Sequence, residues 1–186
     1  GEIFAIRAEN GRVAWSEALS PARRIDALAT LAHVRGSPVI NRGVVHAISH
    51  SGRLVAIDQR SGARIWERSI GGVETPWVAG DFIYLLSNQA EIYCLTRRGG
   101  RIKWVRPLPK FEDPPDKEGP IKWSGPVLVS DRLVVTGSHG EALSISPYTG
   151  VPLGRVKLPS SISIAPVVAG GTLYFFTNNA ELIAFR

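Results

Sequence analysis

At 186 residues, with 44% hydrophobic and 20% charged residues, the chain can bury a domain-sized core and is not disordered material. No run of about 18 apolar residues occurs, which excludes a spanning helix, and the single cysteine, Cys94, excludes an internal disulfide and a thiolate zinc cluster. The net charge of +6 invites a nucleic-acid reading, but the arginines are scattered over turns and strand ends; no nucleic-acid partner is expected, and an anionic surface or acidic partner suits the charge better.

The start, Gly1-Glu2-Ile3-Phe4, lies inside a repeat and has no signal-peptide pattern; in a chain without methionine it fits either a processed product or a cut piece of a longer chain. Glu2-Ile3-Phe4-Ala5-Ile6 leads to Gly11 and Trp15, and Leu54-Val55-Ala56-Ile57-Asp58 to Gly62 and Trp66. Glu91-Ile92-Tyr93-Cys94-Leu95 leads to Gly100 and Trp104. Glu141-Ala142-Leu143-Ser144-Ile145 leads to Gly150, with Gly154 in the tryptophan position. Glu181-Leu182-Ile183-Ala184-Phe185 is the last copy. Repetition at this period, 38 residues from Trp66 to Trp104, predicts an all-β fold, a β-propeller of four-stranded antiparallel blades.

In chain order, residues 1–19 supply strand positions three and four of a blade. Residues 37–70, 75–108 and 125–158 make full blades, and residues 165–186 supply positions one to three. Pro38, Pro76, Pro126 and Pro166 each open a first strand, which places that strand at a sheet edge where no N–H is needed. Strand three is apolar on both faces, as in a strand covered on both sides. Its third apolar position is always small (Ala5, Ala56, Cys94, Ser144, Ala184), so a neighbour is expected to pack close there. Gly62 supplies φ > 0 in the turn between strands three and four, and Asp58 accepts hydrogen bonds from that turn. Trp15, Trp66 and Trp104 wedge between blades, with buried rings and bonded indole N–H groups.

Two connections exceed ordinary blade-to-blade loops. Residues 20–36 mix Ile25, Leu28 and Leu31 with Arg23, Arg24, Asp26, His33 and Arg35; a short helical piece over 23–31 and a partner surface are expected. Residues 107–123 carry five prolines beside Glu112, Asp113, Asp116 and Glu118 and read as an irregular solvated spacer. His50 and His139 fall in turns of different blades without acidic neighbours at metal-ligand spacing, so no metal site is expected. No nucleophile elbow, phosphate-cradling loop or zincin motif occurs, and no catalytic residue or cofactor is expected.

The repeated Ala-Ile-Asp-x-x-Ser-Gly-x-x-x-Trp pattern resembles the repeat named after pyrroloquinoline quinone enzymes. The quinoprotein dehydrogenases of that group carry a vicinal cysteine pair and an acidic calcium pocket; Cys94 stands alone here, though a fragment of such an enzyme remains the alternative, with a generic periplasmic propeller third. The blade order, the loop before Ser37-Pro38-Val39-Ile40, Gly80-Asp81-Phe82-Ile83-Tyr84-Leu85 and the 140–145 and 165–185 stretches resemble the BamB family of the outer-membrane β-barrel assembly machinery. The match is to the C-terminal half of an eight-bladed propeller, ending where that family ends. The resemblance implies a periplasmic, non-enzymatic lipoprotein scaffold at the inner face of the outer membrane, its lipidated N-terminus absent from this chain. It implies binding to the POTRA domains of the barrel-forming subunit, through a surface that includes the loop at 20–36, and handling of unfolded outer-membrane proteins. There the family has acidic residues before the Ser/Thr-Pro step and this chain has His33 and Arg35. With about half a ring, exposed blade faces are expected to drive self-association.

Overall fold

The computed structural model describes residues 1–19 and 34–186, and the described residues form strands and turns without a helix. Strands β1 (Glu2–Ile6) and β2 (Val13–Ala18) pair as a ribbon. Strands β3 (Val39–Asn41), β4 (Val44–Ile48), β5 (Leu54–Asp58) and β6 (Arg64–Arg68) form a four-stranded sheet in chain order. The same order joins β7 (Trp77–Ala79), β8 (Phe82–Leu86), β9 (Glu91–Thr96) and β10 (Ile102–Pro107). After a hairpin of β11 (Phe111–Asp113) and β12 (Glu118–Pro120) come β13 (Trp123–Val129), β14 (Arg132–Gly137), β15 (Glu141–Ile145) and β16 (Pro152–Lys157). The last sheet holds β17 (Val167–Ala169), β18 (Thr172–Phe176) and β19 (Leu182–Phe185). These sheets are the expected blades.

Each first strand lies at a sheet edge, and Pro38, Pro76 and Pro166 stand immediately before β3, β7 and β17. Pro126 differs: β13 begins at Trp123, and Pro126 falls in a bulge between Ser124 and Val127, after a cis Gly125–Pro126 peptide. A bulge leaves residues out of the ladder, so it tolerates proline inside a strand. Two compact units divide the chain, Gly1–Ile83 with Thr96–Arg101, and Tyr84–Leu95 with Ile102–Arg186. The first packs Leu19, Val45, Ala47, Val55 and Ile57 into one cluster, joined by Ile3, Trp15 and Val34. The second packs Val134, Ala142, Leu158, Ile162 and Phe175, joined by Leu173 and Ile183.

One device recurs at the seams between sheets. The small residue of strand three pairs directly with the tryptophan of strand four, as Ala5 with Trp15, Ala56 with Trp66 and Cys94 with Trp104. A register shift just before each tryptophan marks a bulge, which re-aims the ring onto the face that meets the next sheet. There the ring lies on a turn glycine. A Cβ on Gly62 would sit 2.6 Å from Trp15, on Gly100 2.6 Å from Trp66, and on Gly150 2.7 Å from Trp104. The indole N–H then donates to a carbonyl of the same turn, Gln59 at 2.9 Å, Arg97 at 3.0 Å and Pro147 at 3.1 Å. Two residues past the ring, Arg68 donates to the carbonyls of Gly100 (2.7 Å) and Gly99 (2.6 Å), and Arg106 to that of Gly150 (2.6 Å). At the first seam Glu17 holds this place and pairs with Arg64. Trp66 is buried, while Trp15 and Trp104 are half-buried, so full burial of the ring holds for one of the three.

The expected irregular spacer is corrected to a hairpin. Pro114 and Pro115 fill its turn and Pro107 and Pro120 end strands, places where no ladder N–H is required. Trp123 ties it down by donating to the Pro109 carbonyl at 2.7 Å. In β4, His46 is fully buried with its ring 5.8 Å from that of Trp66, and neither ring nitrogen has a hydrogen-bond partner. Burial first, and the charge of Arg97 second, push its pKa down to about 4.

Two outcomes follow from these contacts. Gly11 has φ +69° with open space around it, and Gly100 has φ +60° under Trp66. Gly11→Ala should therefore cost only the left-handed backbone penalty of roughly 1–2 kcal/mol, whereas Gly100→Ala should cost clearly more. Equal denaturation midpoints for the two variants would show that the ring contact carries no stability. For His46, the folded pKa lies below the unfolded value, so stability is complete above about pH 6.5 and is lost as pH falls towards 4. His46→Phe should remove a component of the order of 3 kcal/mol from that loss; parallel wild-type and variant stability curves between pH 7 and 4 would refute this.

Candidate functional site

The expected partner surface over 20–36 is defined by its two ends. Arg23, Arg24, Ile25, Asp26, Leu28, Leu31 and His33, with the expected helical piece, lie outside the described residues, while Arg35 is described and exposed. At the leading end Leu19 is fully buried in the first cluster. Its carbonyl accepts from Ser49 Oγ at 3.0 Å and Ser51 Oγ at 3.4 Å, and Arg53 donates to the Ala18 carbonyl at 3.2 Å. At the trailing end Val34 packs on the same cluster. Gly36 follows, where a Cβ would lie 2.6 Å from the Glu74 carbonyl oxygen, so no larger residue fits. The Ser37 N–H then donates to Thr75 Oγ1 at 2.9 Å. Leu19 and Val34 thus stand on one packed cluster, with the backbone beside them held by hydrogen bonds as well as apolar contact.

The blade-motif residues have other work. Asp58 accepts from the N–H of Ser61 (2.8 Å) and Arg60 (3.1 Å) and from the Ser61 hydroxyl (2.7 Å); the Ser61 N–H foremost holds its carboxyl below the ordinary value. Gly62, Trp15, Trp66 and Trp104 are engaged in the seams described above. Cys94 is buried, and burial pushes its thiol up to about 11, which leaves it protonated and unreactive at neutral pH. Contrary to expectation, His139 does have an acidic neighbour, since its Nε2 lies 3.4 Å from Glu141. The described residues nevertheless contain no group of three or more His, Cys, Asp or Glu able to hold a metal ion.

Sequence reasoning missed two features. One is the arginine two residues beyond the tryptophan, legible only once the receiving carbonyls are placed. The other is a cavity of about 330 Å³ between the β13–β16 and β17–β19 sheets, lined by Val134, Ser144, Gly154, Phe175 and Phe185 among others. Its signal was present in the sequence as Gly154, the one strand-four position of the repeat without tryptophan.

Comparison with known proteins bears on the whole chain. The family profile described as outer membrane protein assembly factor BamB matches residues 1–106. The BamB of Salmonella typhimurium is 32% identical over 187 residues, covering 99% of this chain and 45% of the relative. That of Escherichia coli is 32% identical over 176 residues, covering 93% and 42%. The chain therefore spans somewhat under half the length of the curated relatives it matches. Among solved structures, BamB from Moraxella catarrhalis superposes with a TM-score of 0.84 at 16% identity, over 99% of this chain and 52% of that one. Quinohemoprotein alcohol dehydrogenase from Comamonas testosteroni superposes with a TM-score of 0.55, also at 16% identity, over 67% and 21%. Both likenesses are of fold, and the first identifies the sheets as propeller blades. By profile and by relatives matched along nearly its whole length, the chain belongs to the BamB family of outer membrane protein assembly factors.

Proposed function

We propose that the chain is a non-enzymatic scaffold in outer-membrane β-barrel assembly, acting on the periplasmic side of the outer membrane. Residues 20–36 are its docking surface for the POTRA domains of the barrel-forming subunit, and unfolded outer-membrane proteins are its further clients. The reading is carried by Leu19 and Val34, which flank the stretch 20–33 and stand on one core cluster. Fixed ends lower the ordering cost of binding, and Ile25, Leu28 and Leu31 among Arg23 and Arg24 supply apolar contacts within a basic rim. Immobilised POTRA domains should retain the chain, and Leu28→Ala/Leu31→Ala should weaken retention about tenfold or more. No retention of the wild-type chain would remove this partner.

The chain is further proposed to self-associate. Phe4, Ile6 and Val13 are exposed on the ribbon of β1 and β2, and Val167, Phe176 and Leu182 on the last sheet, which favours apolar pairing. Light scattering should give a mass above 20.2 kDa; a stable monomer at high concentration would refute this.

A further inference from the structure

In the first compact unit the arginines divide into two sets. On and beside the strands they are engaged: Arg53 and Arg64 with Glu67, and Arg68 with the carbonyls of Gly99 and Gly100. At one end of the sheets a second set stands in turns that are tied to one another. The Gln59 N–H donates to the Gly43 carbonyl at 2.9 Å, joining the β5–β6 turn to the β3–β4 turn. The Arg97 N–H donates to the Asp81 carbonyl at 2.7 Å, joining the turn at 96–101 to the turn at 79–82. Trp66 links the two pairs through the Arg97 carbonyl, and Trp15, close behind the turn that carries Arg7 and Arg12, reaches Gln59.

The charges on this end are largely unanswered. Arg42, Arg60, Arg98 and Arg101 are exposed. Arg42, Arg98 and Arg101 make no side-chain hydrogen bond or ion pair among the described residues, and Arg60 meets only the charge of Asp58. The nearby carboxylates are already engaged, Asp58 with the backbone of its own turn and Asp81 with Arg97 at 3.5 Å. Arg42 adds a second sign. It stands at φ +49° in a two-residue hairpin turn, a place that favours Gly, Asn or Asp, while Gly80 and Gly170 fill the same place in other blades. An unusual backbone conformation held by a side chain with no internal contact points to a role outside the fold.

We propose that this turn face docks on an anionic lipid bilayer surface. The turns expose no aromatic side chain of the kind that centres a protein interface or stacks on bases. They offer positive charge spread over rigid tips of neighbouring sheets, which a layer of anionic headgroups matches without a cleft. Each arginine near such a surface strengthens binding roughly fivefold, and salt weakens the attraction.

The test is co-sedimentation of the chain with phosphatidylcholine vesicles, with and without about one-third phosphatidylglycerol. The anionic vesicles should bind it about tenfold or more tightly than the neutral ones, and added salt should release it. Arg98→Gln/Arg101→Gln should weaken that binding about tenfold or more. Arg42→Gly should weaken it about fivefold while holding the denaturation midpoint, since glycine takes the left-handed φ freely. Arg155→Gln/Lys157→Gln, on exposed positions of β16, removes the same net charge and should leave vesicle binding nearly unchanged. Equal binding to both vesicles, wild-type binding by Arg42→Gly, or equal losses in the two double variants each overturns the proposal. So does displacement from vesicles by free glycerol phosphate at constant ionic strength, in favour of a small-anion site. Retention on polyglutamate or duplex DNA without vesicle binding overturns it in favour of an acidic polymer. The inference does not rest on the POTRA reading, and Leu28→Ala/Leu31→Ala should leave vesicle binding unchanged.

Discussion

The packing of an indole face on a turn glycine is the constraint from which the rest of the structure follows. A ring can lie flat on backbone only where no Cβ intervenes, so the receiving position must be glycine. At Gly62, Gly100 and Gly150 the same residue also supplies the left-handed φ that its turn requires. The ring must emerge on the correct face, which is the task of the bulge before each tryptophan. It must also find room on its own sheet, and hence the small residue opposite. Asp58, Thr96 and Ser146 each offer a side-chain oxygen to the turn backbone, so the landing site is held by bonds of its own as well as by the ring. Several separate regularities of the repeat are thus one requirement seen from several sides.

This economy separates fold from function. Residues committed to seams are satisfied internally: the indole N–H groups donate to carbonyls, and the arginines that follow are bonded to backbone. The protein-docking surface we propose lies outside the device, in the stretch between Leu19 and Val34. Another departure from the device is Gly154, which lines a cavity where the other blades place a tryptophan. Both depart from the repeat.

The repeat made the blades legible because glycine, tryptophan and a small residue at fixed spacing have few structural solutions. The edge position of the proline-led strands followed from the missing N–H, and Asp58 in its turn from side-chain geometry. The hairpin at 111–120 was hidden because its prolines suggested irregularity, whereas each falls in the turn or at a strand end. Pro126 misled for the converse reason, since a bulge admits proline inside β13. His46 gave no sign of its burial: alternation places it on a sheet face, but only the ring of Trp66 beside it reveals that the face is closed. The cavity could have been found from Gly154 alone, had its glycine been read as a vacancy as well as a lapse in the repeat.

The stacking also has a direction. Each ring is presented by an earlier blade and received by a later one, with Gly100 following Trp66 by 34 residues. On the ribosome the indole is therefore synthesised before its landing site, and every new turn emerges beside a ring already waiting for it. Growth of the array is templated from the N-terminal side, as for units that fold in order of synthesis. Gly11 has the same left-handed turn but no ring upon it, so the turn geometry forms without the contact that the three later glycines share.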